Sequence, residues 1–152
     1  MQQVEALRGL LNVYPHLELA ILVGSRVADF KITKLEAQNL KNPYITDQVT
    51  ITKRVATEHS DWDIAIGWQK GLDDLTILEL TEALRHKIAQ AINNHADKID
   101  LIDIATARLA MRAVIAEEGI ALKGEDSLNW NHFLTQRWAE LEDYYWRKQH
   151  AA

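Results

Sequence analysis

The chain of 152 residues contains no cysteine. Disulfides and thiolate metal sites are thereby excluded, and the composition fits a reducing cytoplasm. No apolar run is long enough to span a bilayer. The first residues, Met1-Gln2-Gln3-Val4-Glu5, lack the basic segment of a signal peptide. A cytoplasmic protein without membrane contact is therefore expected. Basic residues are outnumbered, 17 Lys and Arg against 22 Asp and Glu, for a net charge of −5. A broad basic surface for direct nucleic-acid binding is not expected. Proline is scarce, with two residues, and both mark breaks: Pro15 ends a helical pattern and Asn42-Pro43 reads as a turn. What remains is ordinary for a globular protein, 47% apolar and 26% charged, and one domain over residues 1–152 is expected.

Hydrophobic spacing sets out the elements. Val4, Leu7, Leu10, Leu11 and Tyr14 recur at helical intervals. Residues 17–23, apolar but for Glu18, read as a buried strand. Residues 71–94 carry the clearest helical stripe, Ile77, Leu80, Leu84, Ile88 and Ile92. There Asp73-Asp74 suits a helix start, and Thr76-x-x-Glu79 resembles a capping box. Residues 98–104 alternate as a strand, with Ile99, Leu101 and Asp103 on one face and Asp100, Ile102 and Ile104 on the other. Thr106 is placed to cap a helix that Gly119 stops, and residues 120–122 suggest a short edge strand. A last helix is expected over about 127–148, started by Asp126 or Ser127. Its expected buried face is Leu134, Trp138, Leu141 and Tyr145, with Trp130, Phe133, Tyr144 and Trp146 left off it. Aromatics on two sides of a helix mean either packing between layers or a surface for another chain.

The chemistry is concentrated between residues 21 and 68. Ile21-Leu22-Val23-Gly24-Ser25-Arg26 is a buried strand that breaks at a Gly-Ser turn. Ser60-Asp61-Trp62-Asp63-Ile64-Ala65-Ile66 begins a second strand with two carboxylates. Alternate side chains share a face, so Asp61 and Asp63 project together, about 7 Å apart at their Cα atoms. Strands disfavour aspartate, and paired carboxylates repel unless a cation neutralises them. Oxygen-rich sites favour Mg²⁺. The free N–H groups and hydroxyl of a Gly-Ser turn suit phosphate oxygens. The combination implies a site for a nucleotide carried with Mg²⁺.

Gly24-Ser25, Asp61-x-Asp63 and a later strand bearing Asp100, in that order, resemble the nucleotidyltransferase superfamily typified by DNA polymerase β. The Ser60-Asp61-Trp62-Asp63 form and the short length look like its minimal nucleotidyltransferase (MNT) branch, whose members are paired as antitoxins with HEPN ribonuclease toxins. The resemblance covers about residues 17–122. It implies an α/β fold, a small mixed sheet flanked by helices. It further implies Asp61, Asp63 and Asp100 as catalytic residues and ligands of two Mg²⁺ ions, with ATP as substrate. Asp103 is a rival to Asp100. Gly24 and Ser25 would hold the β- and γ-phosphates, and Arg26 either adds charge there or is a surface arginine. The implied activity is transfer of AMP to a tyrosine of a HEPN toxin partner. The alternatives are an antitoxin that acts by binding alone, and an adenylyltransferase for small molecules.

This sequence departs from that pattern in an insertion at about residues 27–57, bracketed by Arg26-Val27-Ala28 and Arg54-Val55-Ala56. Residues 49–55 alternate as a strand, either a hairpin arm beside the site or a passive loop. Arg54-x-x-x-x-His59 has the spacing of the HEPN ribonuclease motif, but on a strand and loop it reads as coincidence. The six histidines show no zinc-ligand spacing.

Overall fold

The computed structural model describes residues 2–27 and 60–151. The expected arm at 49–55, the Arg54/His59 pair and nearly all of the insertion lie outside them.

A four-stranded mixed sheet has the order β3-β2-β1-β4. The strands are β1 (Leu17–Val23), β2 (Trp62–Trp68), β3 (Ile99–Asp103) and β4 (Ile120–Lys123). β1 is antiparallel to both β2 and β4, and β2 is parallel to β3. The parallel pair requires a crossover, supplied by α2 (Asp74–Ala91). Further helices are α1 (Gln2–Val13), α3 (Leu109–Glu118) and α4 (Leu128–His150).

Each strand divides its side chains between two cores. On one face Leu7 and Leu11 of α1 and Leu84 and Ile88 of α2 pack on Ala20, Leu22, Ile64 and Ile66. On the other, Ile115 of α3 and Trp130 and Phe133 of α4 pack on Leu19, Ile21, Val23 and Ala65. Leu17 joins Ala20 and Leu22 despite its odd number. A register shift between Leu17 and Leu19 inserts the residue that changes its face.

Several helix ends differ from expectation. Asp73 is the N-cap of α2: its carboxylate accepts from the Thr76 amide at 2.8 Å and is held below the usual range by that bond. Thr76 therefore lies inside the helix and does not cap it. Helix α3 starts after Arg108, and Thr106 instead closes a turn by donating its amide to the Asp103 carbonyl. Gly119 does end α3, but with negative φ. A side chain there would meet the Ile115 carbonyl and Ile21, so close approach is the reason for glycine. Ser127 caps α4, accepting from the Trp130 amide at 3.1 Å.

The largest correction concerns α4. Its buried residues are Trp130, Phe133 and Arg137. Trp138 and Tyr145, expected inside, are exposed together with Tyr144 and Trp146. At 23 residues and about 1.5 Å per residue the helix is about 35 Å long. The seven-residue β1 beneath it spans only about 23 Å. The last turns run beyond the sheet.

Candidate functional site

The strand register brings the expected residues to one end of the sheet. Val23, the last residue of β1, pairs with Asp63, and Asp63 pairs with Asp100 on β3. Gly24, Asp63 and Asp100 thus follow one another across three strands. Gly24 has φ 76°, and a Cβ there would run into the Asp63 carboxylate. Only glycine both makes this turn and leaves that room. A helical turn begins at Ser25, with the Val27 amide donating to the Gly24 carbonyl at 3.2 Å. Gly24 therefore stands beside Asp63, and Ser25 starts the helix that follows.

Arg26 is held against the start of β2. Its Nη2 donates to the Ser60 carbonyl at 2.9 Å, and its guanidinium lies over the Trp62 ring, 4.7 Å from the centroid. The contact fastens the Gly-Ser turn to the segment that carries Asp61.

The carboxylates differ in environment. Asp63 is half-buried at the mouth of the thinner core. Burial first, then the charges of Asp100 and Asp61, hold its carboxyl above the usual range. Asp61 precedes the strand, is exposed, and sits 3.8 Å from the Lys98 ammonium. Asp100 is exposed at the start of β3. Asp103, its rival, pairs with Ile66 three residues along, and its carboxylate accepts from the Ala105 amide at 2.9 Å. It is a turn residue at the far end of β3.

The donor chemistry suits a hard divalent ion: three carboxylates share one region, and one of them is destabilised by the other two. They are not drawn into a cage. Among the described residues no group of three or more His, Cys, Asp or Glu is gathered tightly enough to hold a metal ion. Lys98, which the sequence reading passed over, is the cation that Asp61 meets. Its position two residues before Asp100 was the available signal.

No protein-family model matches the chain, and no curated protein does. Solved structures do match. One is described as a toxin–antitoxin with AMP-PNP, at 19% identity and TM-score 0.59, covering 98% of this chain and 94% of that one. A second holds a tri-AMPylated HEPN toxin of Shewanella oneidensis in complex with MNT antitoxin, at 19% identity and TM-score 0.55, covering 98% and 93%. A third, described as the toxin–antitoxin MntA–HepT, has 18% identity and TM-score 0.53, covering 97% and 91%. The chain shares the fold of these toxin–antitoxin structures. The α/β architecture that the sequence resemblance implied is the one observed, and the match extends past residues 17–122 to nearly the whole chain.

Proposed function

We propose that this protein is an antitoxin nucleotidyltransferase that transfers AMP from ATP to a tyrosine of a HEPN-type toxin. One observation carries the reading: the register that sets Asp63 beside Asp100, with Gly24 kept open above the Asp63 carboxylate. The shared fold supports it, since structures of that fold were solved with AMP-PNP and with an AMPylated toxin.

Asp61, Asp63 and Asp100 would hold Mg²⁺. When bound, Mg²⁺ supplies positive charge to the triphosphate and to the departing pyrophosphate. The chain's own groups do the rest. Gly24 and Ser25 receive phosphate oxygens on backbone N–H groups and the hydroxyl. Arg26 anchors the turn to Ser60 and Trp62. The tyrosine oxygen attacks the α-phosphorus, the bond to the β-phosphate oxygen breaks, and pyrophosphate leaves with that electron pair. Asp100, the exposed member of the paired aspartates, takes the phenolic proton.

A second reading has its own observation. Asp61 is paired with Lys98 rather than gathered with Asp63 and Asp100, which suits a protein that neutralises its partner by binding alone. Intact mass spectrometry separates the two. The candidate toxin is incubated with this protein, ATP and Mg²⁺, beside an Asp61→Asn/Asp63→Asn variant. Mass added in whole AMP units by the wild type alone supports the transferase. No added mass, with toxicity still suppressed on co-expression, overturns it in favour of binding.

A further inference from the structure

A cavity of about 350 Å³ lies at the other end of the sheet, lined among others by Lys70, Arg112, His132, Phe133, Gln136 and Arg137. It also meets Gly67 of β2. Gly67 lies four positions along β2 from Asp63, about 13 Å, so the cavity is distinct from the carboxylate site.

Its charges do not balance. Arg137 is only 6% exposed. Its Nη2 meets Glu140 Oε1 at 2.9 Å and Gln136 Oε1 at 3.3 Å. Arg112 reaches the same carboxylate, Nη2 to Oε2 at 3.6 Å, too long for a hydrogen bond. One glutamate thus serves two guanidiniums. The Nε atoms of both arginines are buried and make no hydrogen bond among the described residues. Burial and the nearby Arg112 charge push the Arg137 guanidinium below its ordinary range, and Glu140 offsets this only in part. Lys70 stands at the same cavity. Among the described residues the one carboxylate lining it is Glu18, which accepts from Asn129.

A buried cation without a full counter-charge is costly. An oxyanion removes that cost, and guanidinium forks match its geometry. The volume lies in the range of pockets for small molecules. We propose that this cavity binds the phosphate group of a small phosphorylated molecule, with Arg112 and Arg137 as its cationic walls and Lys70 at its mouth. The proposal stands independently of nucleotidyl transfer.

The test is calorimetric titration of the whole protein with inorganic phosphate at constant ionic strength, repeated with succinate. Wild type is expected to bind phosphate saturably and in preference to succinate. Arg112→Gln leaves Glu140 to balance Arg137, so the fold is kept, and phosphate binding is expected to weaken about tenfold or more. Lys70→Gln weakens it less. Arg147→Gln, on the exposed tail of α4 and away from the cavity, leaves it unchanged. Absence of saturable phosphate binding overturns the proposal, as does equal affinity in Arg112→Gln. Preference for succinate overturns the phosphate assignment. Circular dichroism and melting of each variant confirm that a lost signal reports the site and not the fold.

Discussion

The two faces of the sheet are built from the same four strands but carry different burdens. The face under α1 and α2 is thick and apolar, with Leu7, Leu11, Leu22, Ile64, Ile66, Leu84, Ile88 and Ile92 fully or almost fully buried. The face under α3 and α4 has fewer buried residues. It shares its space with Asp63 at one end and Arg137 at the other. One face supplies stability so that the other can hold charges that cost stability. Such division is expected where chemistry requires groups that a core would reject.

This contrast can be broken at several points. The largest effect belongs to the charged face. Asp63→Asn is expected to lower AMP transfer roughly 10³-fold or more, as loss of a central catalytic group does, with the protein still folded by circular dichroism. Gly24→Ala, which strains the turn and strikes Asp63, is expected to fall with it in the same mass-spectrometric assay. Next comes the thick core. Ile88→Ala is expected to cost about 2–5 kcal/mol in urea unfolding. Leu134→Ala, at a half-buried site of the thinner core, should cost less than half as much. Equal costs would erase the distinction between the faces. The caps follow: Ser127→Ala and Asp73→Ala should each cost about 1 kcal/mol.

The smallest effect is the pH dependence of Asp63. Its carboxyl lies above the unfolded value, so the folded state binds the proton more tightly. Its contribution is least unfavourable at low pH, below the unfolded carboxylate pKa. Stability is then lost as pH rises from there through the raised folded pKa. Asp63→Asn without metal should therefore melt a few degrees higher than wild type at neutral pH, and the difference should shrink on acidification. Added Mg²⁺ should raise the melting temperature of wild type and not of the variant.

Much of this was legible in the sequence, for local reasons. The bounds of β1 follow from an apolar run, interrupted by Glu18, between Pro15 and Gly24. The inward faces of α2 and β3 follow from simple periodicity. The Gly-Ser turn and the Asp-x-Asp pair were legible because both are costly unless the chain has a use for them. The misreadings lie where an answer depends on distant parts. Thr76 and Asp73 both look like caps until the first turn is placed. The stripe of Leu134, Trp138, Leu141 and Tyr145 has helical spacing, yet α4 leaves the sheet behind before it is completed. Arg137 had no local signal, since an arginine between Gln136 and Trp138 is ordinarily outside.

The overrun of α4 also divides the five tryptophans by their light. Trp62, Trp68 and Trp130 are 3%, 9% and 7% exposed, whereas Trp138 and Trp146 are 47% and 60% exposed. Three indoles should emit in the blue and resist iodide, and two should emit in the red and be quenched. Unfolding shifts the first set, and a partner that covers the helix tail shields the second. The protein carries two optical reporters, one for its fold and one for the company its last helix keeps.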